Sequence, residues 1–206
     1  MSKTVSNKIK IPAKILEQLA KSEKLKLSGK NQKALEIAEN ILSTDPECAE
    51  AAEEIADNFL VLGDFKKARS AAEYALFLDS ESSIANFVLG FVESHHENFN
   101  ESIKFLRKAN SNQSNNPEIL RCLGWSLFHA KKEEEGISTL LRAGELDLKN
   151  SEIFCDLGVC FLQKSNFKKA AEFFSRAAKI DPEDSRAQEF LKIAENLQSK
   201  VSKKIV

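Results

Sequence analysis

A chain of 206 residues with 30 bases, 31 acids and a formal net charge of -1 has no global excess of cation with which to bind a nucleic-acid backbone. Tyr and Trp occur once each against 14 Phe and four Pro, a balance that favours a helix-rich core over sheets. Seven of the bases lie in two acid-free ends, 1–14 and 200–206, which leaves the segment 15–199 with a net charge of -8.

The first segment, MSKTVSNKIKIPAK (1–14), has lysines but no apolar run of the signal-peptide kind, and no later stretch is long and uncharged enough to span a bilayer. The expectation is a soluble, cytoplasmic chain that opens with a basic tail. From residue 15 a 34-residue period sets in. GKNQKALEIAENILSTDP (29–46) mirrors GDFKKARSAAEYALFLDS (63–80), and the pairs Leu89-Gly90, Leu123-Gly124 and Leu157-Gly158 superimpose, with Ile55-Ala56 one step earlier. Two small-residue columns stay in register: Ala34, Ala68, Ser102, Gly136 and Ala170, and Ala75, Ala109, Ala143 and Ala177. Five units result, 15–48, 49–82, 83–116, 117–150 and 151–184. Residues 185–199 open like a sixth first helix that has no partner, and the basic segment 200–206 follows.

Within each unit the apolar and small residues recur at three and four, so each half is an amphipathic helix, and Gly29 and Gly63 mark the turn between halves. Asp45-Pro46, Asn116-Pro117 and Asp181-Pro182 read as helix starts, a capping side chain before a proline at the first helical position. The polar run NSNQSNNP (110–117) predicts an early end to the second helix of the third unit. Gly136 and Gly144 predict a soft second helix in the fourth. The capping segment is expected to turn Phe190, Leu191, Ile193, Ala194 and Leu197 onto the last unit.

Phe154, Leu157, Gly158, Phe161, Ala170, Phe174, Ala177 and Pro182 in the last unit carry the pattern most completely, and it resembles that of the tetratricopeptide repeat. Leu148, Ser114 and Ser80 stand in place of the repeat's proline, and Glu93 in place of an aromatic. The resemblance implies an all-α fold: a right-handed superhelical α-solenoid of five tandem helix-turn-helix repeats plus a C-terminal capping helix, with the first helices lining a concave face.

The resemblance further implies that this face is a protein- or peptide-binding channel. Its expected apolar and polar contacts are Phe87, Phe91, Arg121, Trp125, Phe128, His129, Val159 and Leu162, beside an acidic wall of Glu50, Glu53 and Asp57. Trp125 lies outside the repeat's core pattern, which singles it out as a binding residue. The ligand expected is a polypeptide, apolar with a basic flank, because only Lys26 and Arg121 are available as cations to hold an acidic one. The basic tail, through KIKIP (8–12), is a candidate internal competitor. An adaptor, a chaperone-like holdase or a subunit of a larger assembly all fit. No phosphate-cradling loop or nucleophile elbow is present, the His and Cys residues are not grouped for a metal, and Cys48, Cys122, Cys155 and Cys160 read as reduced packing residues. Neither an enzyme nor a cofactor or metal is expected.

Overall fold

The computed structural model describes residues 11–204, which form eleven α-helices and no strand among the described residues: α1 (Ala13–Leu27), α2 (Asn31–Thr44), α3 (Ala49–Val61), α4 (Phe65–Leu78), α5 (Ser83–His95), α6 (Phe99–Asn112), α7 (Pro117–His129), α8 (Glu133–Leu146), α9 (Ser151–Gln163), α10 (Phe167–Ile180) and α11 (Ser185–Lys204). From α2 to α10 every boundary repeats after 34 residues, 14-residue helices alternating with 13-residue ones. The chain divides into two compact units, Met1–Val92 and Glu93–Val206.

One turn geometry explains the constancy. Gly29, Gly63, Glu97, Lys131 and Ser165 occupy the same register position and all have φ between 57° and 75°. In each case the next amide donates back across the helix end, Lys30 to Leu25, Asp64 to Phe59, Asn98 to Glu93, Lys132 to Leu127 and Asn166 to Phe161, each at 2.9 Å. This left-handed C-terminal turn satisfies carbonyls that the helix leaves open. Sequence marks only its two glycine versions.

The first helices start on a second column, Cys48, Ser82, Asn116, Asn150 and Asp184. Ser82 accepts from the Ala85 amide, Asn116 from Glu118 and Ile119, Asn150 from Glu152 and Asp184 from Arg186. Of the three proline pairs, Asn116-Pro117 is therefore a helix start, whereas Asp45-Pro46 and Asp181-Pro182 are not. Asp45 and Asp181 end α2 and α10, and the Asp181 carboxylate accepts from the Glu183 amide to shape the connecting turn, as Asp79 and Asp147 do for Glu81 and Lys149. The run 110–117 does not shorten α6, which ends at Asn112 in register with its counterparts. The Ser111 hydroxyl bonds the Lys108 carbonyl, and the left-handed Asn115 absorbs the polar excess in the turn.

In the first unit, α3 packs against α2 and α4 over an alanine-rich seam: Ala34, Ala38, Ala51, Ala52, Ala56, Ala68, Ala72 and Ala75 are all buried. The second unit has a heavier core in which Leu140, Ile153, Phe154, Leu157, Phe161 and Phe174 cluster. The premise of a soft α8, glycines open to water, does not hold. Gly124 and Gly136 face each other where α7 and α8 cross, and a β-carbon on Gly136 would stand 2.6 Å from the Gly124 carbonyl oxygen and the Phe128 amide nitrogen. Gly144 is likewise buried, against the Phe154 ring. Both glycines permit close helix approach, so neither exposes backbone to water.

Ser102, the hydroxyl in an otherwise small-residue column, sits 2.8 Å from Ser126 Oγ, which donates to Ser94 at 3.1 Å. Glu93 is buried at the place of an aromatic, and its carboxylate takes a bond from Asn98 Nδ2 at 2.8 Å. The last helix covers α10 with Ala187, Ala194, Phe190 and Leu191, Phe190 stacking on Phe174 at 5.3 Å, while Ile193 points outward at 46% exposure. It runs on to Lys204, so the basic C-terminal segment begins inside a helix. At the other end α1 starts at Ala13, within the expected tail, whose residues 1–10 lie outside those described and with them most of KIKIP.

Candidate functional site

In the second unit α7 brings Arg121 to the centre of three carboxylates. Glu118, one turn earlier, takes two bonds from the guanidinium at 3.0 and 2.5 Å, Asp156 on α9 takes one at 3.1 Å, and Glu152 lies at 3.2 Å. The geometry is bidentate and the Arg121 side chain only 14% exposed, so the guanidinium is saturated. One cation against three anions leaves the face negative. Burial pushes the Asp156 carboxyl up to about 6, although Arg121 pulls the other way. Burial also raises the neighbouring thiols, Cys155 to about 11 and Cys122 and Cys160 further, so they stay protonated at neutral pH and are poor nucleophiles.

One turn on from Arg121, Trp125 is partly exposed and lies over His129, ring centroids 4.2 Å apart. Phe99 of α6 also stacks on the imidazole, at 5.0 Å and 23°. Burial, then the nearby Lys131, lower the His129 pKa, so this imidazole is neutral near pH 7. Its Nε2 is buried without a protein partner. Val159 and Leu162 of α9 are half-buried against the core, and Val159 holds in α9 the register place that Trp125 holds in α7.

The first unit has its own aromatic group and its own ion cluster. Phe91 lies 6.3 Å from both Phe87 and Phe65. Lys26 bridges Glu54 at 2.9 Å and Asp57 at 2.5 Å, and Ser22 and Asn58 also bond Glu54. Burial depresses the Lys26 ammonium, but the two carboxylates outweigh it and hold the pKa above its ordinary value.

These placements correct several expectations. Phe128 is 4% exposed and belongs to the α7–α8 core, where its backbone abuts Gly136, so it is no surface anchor. Arg121 and Lys26 are engaged by carboxylates rather than available to a ligand. In the acidic wall Glu50 is exposed, but Asp57 is committed to Lys26 and Glu53 to the Ser82 hydroxyl. Glu54 and Asp156, the acids that organise the two ion clusters, went unread. They share one register column with Val88 and Cys122, and an acid interrupting a column otherwise filled by small or apolar residues was the signal. Among the described residues no group of three or more His, Cys, Asp or Glu is placed to hold a metal ion, and no helix is long and apolar enough to cross a membrane.

The tetratricopeptide repeat model matches residues 28–83, 53–117 and 137–185, more than half of the chain. The chain belongs to the tetratricopeptide repeat family. It is 27% identical over 148 residues to the type IV pilus assembly protein PilF of Pseudomonas aeruginosa, which covers 69% of this chain but only 59% of PilF. Among solved structures, YrrB, described as a tetratricopeptide repeat protein with an unusual peptide-binding site, aligns with a TM-score of 0.63 at 23% identity over 86% of this chain and 92% of its own. A Thermus thermophilus repeat protein, TTC0263, reaches 0.70 at 17% identity over 87% and 98%. At such identities the structures share the fold. The class is thus an all-α repeat solenoid, a scaffold that is typically non-enzymatic and mediates contacts between proteins.

Proposed function

We propose that this chain is a cytoplasmic adaptor whose first-helix faces bind a polypeptide segment, apolar with a basic flank. The observation that carries the reading is the α7–α9 face of the second unit, where Trp125, Val159 and Leu162 lie partly exposed beside a carboxylate cluster that Arg121 does not neutralise. An apolar side chain would seat against Trp125 while lysines or arginines beside it meet Glu118 and Glu152. The Phe65–Phe87–Phe91 group and exposed Glu50 offer the first unit a face of similar chemistry. An acidic ligand is disfavoured on both faces, and nucleic acid with it.

Trp125 is the only tryptophan, so its fluorescence reads this face alone. It should be open to quencher in the free protein and become shielded as a peptide of leucines flanked by lysines is titrated in. Trp125→Ala should weaken binding of that peptide, labelled for anisotropy, by about tenfold, with helicity retained. A tryptophan already shielded in the free protein sinks the reading. A second reading, an assembly subunit held by outward surfaces, is favoured by one observation, the exposure of Phe77.

A further inference from the structure

Phe77, on α4, is 81% exposed. Its register counterparts in the other four units are Ser43, Ser111, Glu145 and Lys179, and those of the neighbouring Tyr74 are Asn40, Lys108, Arg142 and Arg176. Only the second unit places aromatics where every other unit is polar. Tyr74 stacks on Phe77 at 6.3 Å and 20°, and its hydroxyl donates to the Pro46 carbonyl at 2.9 Å, which fixes the ring at the surface. A single exposed apolar residue needs no explanation, but a clamped aromatic pair at one unit's outward position does.

Charge selects what would cover it. Exposed Glu73 lies one turn before Phe77, Glu81 follows the end of α4, and Glu47 follows the proline that Tyr74 bonds. Arg69 offsets Glu73 at 3.9 Å, and the exposed bases of α4, Lys66 and Lys67, stand at its opposite end. The pair therefore lies in a negative setting, which disfavours a second copy of the same patch.

We propose that Tyr74 and Phe77 form a docking surface, separate from the first-helix faces, for a partner protein that presents an apolar side chain between lysines or arginines. The apolar group packs on the Phe77 ring, and the flanking cations meet Glu47, Glu73 and Glu81. This assignment stands whether or not Trp125 binds a ligand.

Tyr74 is the only tyrosine of the 206-residue chain, so this chain grown with 3-fluorotyrosine carries a single fluorine, at this patch. Titration with the lysine-flanked leucine peptide should move that resonance to saturation, and a glutamate-flanked version should not. Phe77→Ser, the residue the first and third units use, should weaken the response about tenfold with the thermal midpoint unchanged. Trp125→Ala should leave it intact, and raising salt from about 50 to about 300 mM should weaken it several-fold. No shift, an equal shift with the glutamate peptide, or full response in Phe77→Ser overturns the proposal. So does a resonance that moves with protein concentration alone together with a dimer abolished by Phe77→Ser, or one that moves in Ile9→Asp/Ile11→Asp without peptide. Those two results assign the patch to a second copy or to the chain's own N-terminal segment.

Discussion

Arg121 is held in place by groups that would repel one another without it. Arg121→Met removes the cation that bridges Glu118, Glu152 and Asp156 and should cost about 1–3 kcal/mol in urea unfolding near pH 7, because Glu118 and Glu152 stay solvated and only Asp156 is left largely buried without its partner. The sign with pH follows from Asp156. Its folded pKa is raised, to about 6, above the ordinary 3.8, so its contribution is fully present below about 3.8 and is lost as pH rises through 6. In Arg121→Met the carboxyl should titrate higher still by carbon NMR, and the stability deficit should shrink as the solution is acidified. A deficit that is independent of pH would mean the arginine acts by packing alone. Gly136→Ala should cost about 1–3 kcal/mol, since its β-carbon meets backbone of α7 rather than a side chain that can swing aside.

At the scale of the element, the turn between paired helices has one geometry and several residue types. Lys131 and Ser165 hold a left-handed φ of 67° and 57° that glycine adopts without strain. Lys131→Gly and Ser165→Gly should each raise the urea midpoint, by the equivalent of up to about 1 kcal/mol, and Gly63→Ala should lower it by a similar amount. Asn116→Ala removes an oxygen that caps two amides of α7 and should cost about 1 kcal/mol. The period and helix pairing were legible from residues alone, because apolar spacing reports directly which face is buried. The turns were legible only where glycine occupied them: backbone strain does not forbid lysine, glutamate or serine, it only costs a little. Asn116-Pro117 read correctly, and the two Asp-Pro pairs misled because their aspartates end the preceding helices rather than begin new ones. The ground for expecting a soft α8 fell away for a related reason: a glycine's cost depends on what stands opposite it, and Gly124 is 12 residues away in the chain.

Across the whole molecule the two units are stabilised by different means. The seam of the first is lined by alanines, whereas the second buries Phe128, Phe154, Phe161 and Phe174. Apolar area per buried residue is larger in the second, so the first should unfold at lower urea. Each unit has one unique reporter, Tyr74 and Trp125, so fluorotyrosine NMR and selectively excited tryptophan emission should give separate midpoints, tyrosine first. Coincident curves would show that the chain melts as one. Of the candidate faces, the partial exposure of Trp125 was readable because its place in the period differs from that of the repeat's core residues. The burial of Phe128 was not, since it depends on a glycine crossing made by the next helix.

Because the left-handed turn recurs at an unvarying interval, the chain behaves as a ruler with interchangeable segments. Excision of 132–165 would join Lys131 directly to Asn166, a left-handed turn residue to the helix cap that follows Ser165 in the intact chain. Gly124 would then stand where Gly158 normally receives Phe174. Such a shortened chain should remain helical and melt cooperatively at a lower temperature, whereas removal of one residue more or fewer should break the left-handed turn at the junction and misalign the helix pair that it joins. Circular dichroism of the two excisions would tell them apart. Length in this molecule is quantised, and insertions or losses that preserve the fold should come in whole periods.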